Sequence, residues 1–585
     1  MATDDLDVFP RPREVSLAGG GLGSAVELSA ARDASLPPQG YELTISSGGT
    51  SLRYADEAGQ RYGRQTLAQL AGMSDVPAGR IRDWPDFPVR GYMLDISRDR
   101  VPTMATLDWL ISKLAELRYN HLELYTEHTF AYADHETVWR DASPITADEL
   151  CRLDASCAAA GIELSANQNT FGHMTRWLTQ PAYRDRAECP DGSHHPLANA
   201  HLPPWSLEPT SDNASFALGL VREMADNLMS KRVNIGCDEP FDLGLGRSEA
   251  AVASRGRPAV FLDHLHRLVD PLVAKGHDVQ FWGDALVRHP ELMDQLPDGG
   301  TAVVWNYEAP RPDTFGTEKF IGAELAEFLQ LPDQSHRGFC SYVKPYAEAG
   351  YPFWVAPGTS SWNSLVGRWS NARKNLLDAA TVGLDTGARG FLVTDWGDNG
   401  HPQPLVLGLL GLAFGAGVAW CHEANHTVNA PPIVDRLLDA QAGSGVGAQL
   451  AQLGNIYARL GVFSFNGSPV LTSMIREARL PLVGELNSVA ADELEILIEE
   501  SLELFATTPF LGPRAEQTTA ELVAVCRLAR HGLWRLRQTR GDGQVDTTAL
   551  PTDFEEAVAL QRAAWLKTSR PGGLDDSINR LVPPA

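Results

Sequence analysis

The chain has 585 residues, 43% hydrophobic, 21% charged and 8% aromatic, with a formal net charge of -25. That apolar share fills a large core without a disorder signature, and the length fits two or three domains if one is a barrel of about 250 residues. The negative charge repels phosphate backbones and anionic lipid, so neither a nucleic-acid nor a membrane partner is expected, whereas a neutral substrate is unaffected.

The N-terminus, MATDDLDVFPRPREV, is acidic and lacks the basic flank and apolar run of a secretion signal. Residues 41–70 read as short strands followed by an amphipathic helix containing YGRQTLAQL, which predicts a small α/β domain over residues 1–86 with Pro85 and Pro88 at its edge. From Val89 onward, β-rich apolar runs alternate with helical patterns, the signature of parallel βαβ units. Eight strands are predicted, at 89–97, 120–126, 162–168, 232–239, 277–283, 301–308, 352–358 and 390–397. Helices at 106–119 and 259–276 lie between them, the second ending in a glycine. Eight is the number a closed (β/α)8 TIM barrel requires, so the fold class is α/β, with the barrel over 87–424. The apolar stretch 404–420 suits a buried helix rather than a membrane span. After it come helical patterns such as GAQLAQLGNIYARLG, DELEILIEESLELFA and TTAELVAVCRLARHGLWRLR, giving a C-terminal helical domain over 425–585 that offers a surface for a homodimer. Seven scattered cysteines without CxxC spacing argue against a disulfide framework or zinc cluster and fit a reducing, cytoplasmic location.

A barrel gathers its active site at the C-terminal ends of its strands. Those ends carry Arg98, then Glu127 and His128, His173, Asp238 with Glu239, Trp282, Trp305 with Tyr307, Trp362, and Trp396 with Asp398. Carboxylates ringed by tryptophans are the composition of a sugar site, because aromatic faces stack on pyranose rings while charged groups bind hydroxyls. Neighbours such as Asp238 and Glu239 point to opposite faces within a strand, so both enter the pocket only if the chain bends there. Two such carboxylates would then tend to share one proton, raising one pKa. The competing reading is an acidic pair at a helix N-terminus, and any single tryptophan is as well explained as barrel core.

LDISRDRVP, TEHTF, GHM, NIGCDEPFDLGLGRS and DWGDNG together resemble glycoside hydrolase family 20, the β-N-acetylhexosaminidases, and the likeness runs through the barrel. The resemblance implies a retaining exo-hydrolase of terminal β-linked GlcNAc or GalNAc that needs no cofactor and no metal, with the substrate's own acetamide as nucleophile. It makes Glu239 the general acid/base and Asp238 the group that orients the acetamide. Arg98 and Asp398 would bind ring hydroxyls, and Trp282, Trp305, Trp362 and Trp396 would enclose the acetamide and ring. His173 and Glu127 would form the polar network behind the acid. Strand seven ends in APGTSSW, without the family's tyrosine for the acetamide oxygen, which leaves Tyr307 as the candidate. That departure keeps open an altered specificity for a sulfated, galacto-configured or non-acetylated sugar. A metal-dependent barrel hydrolase using Asp238, Glu239 and Asp242, and a sugar-binding protein without turnover, are the rivals outside the family.

Overall fold

The computed structural model describes residues 8–21, 28–47, 49–72, 77–195, 200–312, 331–476, 482–542 and 545–581. The N-terminal segment forms a five-stranded sheet in the order β1-β5-β3-β4-β2, from β1 (Glu14–Gly21), β2 (Leu28–Arg32), β3 (Tyr41–Ser46), β4 (Gly49–Tyr54) and β5 (Pro77–Asp83). The helix Glu57–Ala71 packs on it, started by Asp56, whose side chain accepts the Gly59 amide.

The eight expected barrel strands are β6 (Val89–Asp95), β7 (His121–Thr126), β8 (Glu163–Gln168), β11 (Arg232–Asn234), β12 (Asp278–Trp282), β13 (Gly300–Trp305), β14 (Phe353–Ala356) and β15 (Gly390–Asp395). All neighbours pair in parallel, and β15 pairs with β6 to close the ring. The hairpin β9 (Ser193–His195) and β10 (Ala200–Leu202) interrupts the β8 to β11 crossover. Helices Met104–Glu116, Ala147–Ala160, Ser211–Ala225, Arg257–Val273, Phe339–Ala349 and Trp369–Thr386 make the other crossovers, except that 3-10 turns including Pro290–Gln295 join β12 to β13. Local signals fix these ends: Thr103 caps Met104–Glu116, and Thr146 and Glu149 form a capping box on Ala147–Ala160, which ends at left-handed Gly161. The apolar stretch near 404–420 forms the wholly buried helix Leu409–Trp420, and among the described residues no helix is long and apolar enough to cross a membrane.

The two-residue strand period sorts the barrel side chains into two sets. Met93, Tyr125, Trp282, Val303, Trp354 and Leu392 form one cluster, while their strand neighbours Tyr92, Leu94, Leu124, Phe281, Val304 and Val393 join the larger core against the helices. One turn lower in the strands sits a polar layer. Glu123, fully buried, lies 2.8 Å from the His121 ring and accepts from the amides of Asn167 (2.7 Å) and Asn234 (3.1 Å). After the barrel come further helices, among them Ser488–Thr507, Ala515–Thr539 and Leu550–Thr568, and this region packs on the loop that follows β6 through Arg100 and Ser569 (2.8 Å).

Asp83 latches the N-terminal sheet to the barrel. Its carboxylate accepts from Arg118 (3.0 Å), the Tyr41 hydroxyl (2.9 Å) and the Trp420 indole (2.9 Å), all of them buried. Removing one partner of a buried ion pair strands the other charge, so Asp83→Ala should cost about 3–5 kcal/mol, read as a lowered urea midpoint. An unchanged midpoint would mean that the latch carries no stability.

Candidate active site

The acidic pair follows β11, which ends at Asn234, five residues before the predicted strand end at Glu239. The chain continues beside β12, with the Ile235 amide on the Gln280 carbonyl and the Trp282 amide on the Gly236 carbonyl, but Gly236, Cys237 and Glu239 all take left-handed backbone (φ 68, 69 and 47°). This is the bend that side-by-side carboxylates require, and it is costly at the two non-glycine positions. Gly172 makes it fit: a Cβ there would lie 2.3 Å from the Asp238 carbonyl oxygen. The pair does not open a helix, since the next one begins at Glu249.

His173, itself left-handed (φ 57°), lies between the two acids. Its Nε2 is 3.1 Å from Asp238 Oδ2 and 3.3 Å from Glu239 Oε2, and Asn169 donates to Asp238 Oδ1 at 2.6 Å. Burial alone would lower the imidazole, but the charge of Asp238 and contacts with both carboxylates push it up to about 10. Burial likewise opposes the Asp238 charge, yet His173, Asn169 and Arg98 hold its pKa below the usual value. The two carboxylates thus meet at one imidazole nitrogen. The acid raised in this neighbourhood is Asp284, pushed up to about 8 by burial and by the charges of Asp238 and Glu239.

Arg98 bridges the other acids. It donates to Asp95 at 2.8 Å, approaches Asp398 at 3.4 Å and Glu127 at 3.7 Å, and lies over the rings of Trp396 (4.7 Å) and Tyr125 (5.1 Å). Tyr125 donates to Glu127 at 2.9 Å, and Glu127 Oε1 stands 3.8 Å from His173 Nδ1. Asn363 donates to Asp398 at 3.2 Å.

These groups line one cavity of about 470 Å³. Of the predicted site residues, Arg98, Glu127, His173, Asp238, Glu239, Trp305, Tyr307, Trp396 and Asp398 face it. Trp282 and Trp362 are fully buried and back the lining rings instead, Trp282 at 5.6 Å from Trp396 and Trp362 edge-on to Tyr307 at 5.1 Å. His128 is buried outside the lining, its imidazole driven down to about 3 by desolvation. Asp242 is also outside it, turned to the Ser206 amide, and among the described residues no group of three His, Cys, Asp or Glu side chains is arranged to hold a metal.

Sequence reasoning missed Asp95, Asn169, Asp284, Trp205 and Asn363. Asp95, Asn169 and Asp284 are polar residues at or just past strand ends and were open to the same rule that found Arg98. Trp205, whose indole donates to the Glu239 carbonyl at 2.8 Å, sits in a long crossover with no periodic signal. Also unforeseen is the share taken by the helical region, whose Phe463, Phe465, Asn466 and Arg580 line the same cavity.

A (β/α)8 barrel whose mouth presents paired carboxylates, an arginine clamped by acids and an aromatic wall is a barrel glycosidase. The comparisons narrow the class. The family model for glycosyl hydrolase family 20, domain 2, matches residues 9–84. A beta-hexosaminidase of Akkermansia muciniphila is 29% identical over 456 residues, 64% of this chain and 90% of that one. A lacto-N-biosidase of Bifidobacterium bifidum is 24% identical, over 46% of this chain but only 24% of its own. Among solved structures, Flavobacterium johnsoniae chitobiase shares the fold over 96% of this chain and all of its own, with TM-score 0.57 at 13% identity. Together these likenesses support a glycoside hydrolase of the family 20 kind.

The His173 imidazolium has a consequence for stability. A histidine pKa raised from 6.5 to about 10 adds stability that is complete below pH 6.5 and is lost as pH climbs toward 10. The urea midpoint of the wild type should therefore exceed that of His173→Asn most at pH 6 and converge on it by pH 10. A gap that widens with pH would refute the assignment.

Proposed function

We propose that this enzyme is a retaining exo-β-N-acetylhexosaminidase, removing a terminal β-linked 2-acetamido sugar by substrate-assisted catalysis. Hexosaminidase activity in general accords with the named relatives. The observation that carries the finer reading is the meeting of Asp238 and Glu239 at one imidazole nitrogen above an aromatic wall. Both carboxylates reach the same nitrogen, so they stand on one side of the cavity rather than flanking a sugar from opposite faces, as an enzymic nucleophile and its acid partner would. The nucleophile must then come from the substrate.

In this scheme Glu239 protonates the glycosidic oxygen while the C2 acetamido oxygen attacks the anomeric carbon. The C–O bond to the leaving group breaks, and an oxazolinium ion forms. Asp238, kept ionised by His173 and Asn169, accepts the acetamide N–H and offsets the developing positive charge. Glu239, now a carboxylate, takes a proton from the water that attacks the anomeric carbon, and two inversions leave the β configuration. Arg98 and Asp398 bind the ring hydroxyls, with Glu127 holding the Arg98 and His173 network. The acetamide itself would sit against Trp305, Tyr307 and Trp396, backed by Trp282 and Trp362. The Tyr307 hydroxyl and the Trp396 indole nitrogen, on rings that line the cavity, have no hydrogen-bond partner of normal geometry among the described residues. Such orphaned donors cost stability unless a ligand satisfies them, and Tyr307 is the group best suited to the acetamide oxygen that strand seven leaves without a tyrosine.

One observation favours a second reading of the substrate. In place of that tyrosine, Thr359 and Ser361 are tied to Asp395, which favours a sugar altered in sulfation, C4 configuration or acylation. Both readings meet in one assay: nitrophenol release from the β-N-acetylglucosaminide, its galacto epimer and the plain β-glucoside. Substrate assistance predicts turnover of acetamido sugars alone, with a loss of about 10²–10⁴-fold in Glu239→Gln. Equal turnover of the plain glucoside would overturn it.

A further inference from the structure

A third carboxyl group stands behind the acidic pair. Asp284 follows the end of β12, outside the lining of the cavity, and is partly buried. One of its oxygens, Oδ2, accepts the Glu239 backbone N–H at 3.1 Å, and the other, Oδ1, accepts the Trp305 indole N–H at 3.3 Å. A single carboxyl thus ties the residue after β11 to the end of β13 from a position after β12. Glu239 needs such a tie, because its left-handed backbone is disfavoured for any residue with a Cβ. Its carbonyl is held from the opposite side by the Trp205 indole at 2.8 Å, and Gly172 leaves no spare room beneath. Both polar groups of the Glu239 peptide units are therefore fixed by side chains from other parts of the barrel.

We propose that Asp284 is a positioning residue that holds the Glu239 backbone in the conformation aiming its carboxyl group at the leaving-group oxygen. This rests on the acid/base reading of Glu239. Two donors approach Asp284 from different elements, and only a carboxyl group offers an acceptor oxygen to each; an amide in its place would turn an NH2 toward one of them. The surroundings favour the same arrangement, since burial and the nearby acids push Asp284 up to about 8 and so keep a further negative charge away from the pair at neutral pH.

The test separates positioning of the acid from mere folding by varying the leaving group. A 2,4-dinitrophenolate departs without protonation, whereas a methylphenolate or a sugar alkoxide needs the acid. Values of kcat/KM for β-N-acetylglucosaminides carrying these groups, which report only the bond-breaking step, are compared for wild type, Asp284→Asn and Glu239→Gln, each shown by circular dichroism to be folded. Asp284→Asn should lose about 10- to 100-fold on the methylphenyl substrate and no more than about threefold on the dinitrophenyl one, as a smaller copy of the Glu239→Gln pattern. Equal losses on both substrates, or none on either, would overturn the role of Asp284 while leaving Glu239 intact. If Glu239→Gln itself shows no dependence on the leaving group, the acid/base reading fails first. Should Asp284→Asn misfold, Asp284→Glu serves instead, with the same pattern of loss expected and a flat pattern refuting the proposal.

Discussion

One buried imidazole organises the mouth of the barrel. His173 meets Asp238 and Glu239 through the same nitrogen and stands near Glu127 and Arg98 through the other. Positive charge on this ring is favoured by Asp238 and opposed by burial and the Arg98 guanidinium, and the carboxylates are in turn held by other groups. Because consecutive residues must reach one nitrogen, the backbone has to leave the strand geometry at Gly236 and Cys237 and turn left-handed at Glu239. That turn in its turn depends on the missing Cβ of Gly172 and on indole and carboxyl groups arriving from distant segments. The constraint propagates outward from the imidazole to the whole upper rim.

The lumen beneath is graded. A polar layer around Glu123, His121, Asn167 and Asn234 is followed by an aromatic layer around Tyr125, Trp282 and Trp396, and only then by the charged mouth. The aromatic layer excludes water from the floor of the cavity, which strengthens every electrostatic interaction above it. It also explains how Trp282 and Trp362 serve the site without facing it: they set the positions of Trp396 and Tyr307 by packing.

The helical C-terminal region is part of this construction. The Ser468 amide donates to the Asn363 carbonyl at 2.7 Å, and the Asn363 side chain in turn reaches Asp398, the partner of Arg98. Arg580 and Arg176 both hold Asp99 in the loop after β6, at 2.9 and 2.8 Å. The cavity thus has a wall the barrel alone does not supply, which places recognition of groups beyond the reacting centre within reach of two domains.

The sequence by itself determined the barrel, because eight apolar runs at the spacing of βα units have few other ways to bury both faces, and it determined the acidic pair and Arg98, because strand ends in a barrel converge on one face. The helix expected at 106–119 is found at Met104–Glu116, its start fixed by the local cap Thr103. Tertiary structure alone decided which rings line the cavity and which stand behind them, since the side a residue faces near a strand end depends on left-handed steps that spacing does not encode. It also decided that Asp238 and Glu239 meet on the His173 ring, that Asp284 and Trp205 grip Glu239, and that residues more than two hundred positions downstream complete the wall. These depend on contacts between segments far apart in the chain, made only once the barrel closes and burial has turned weak attractions into strong ones.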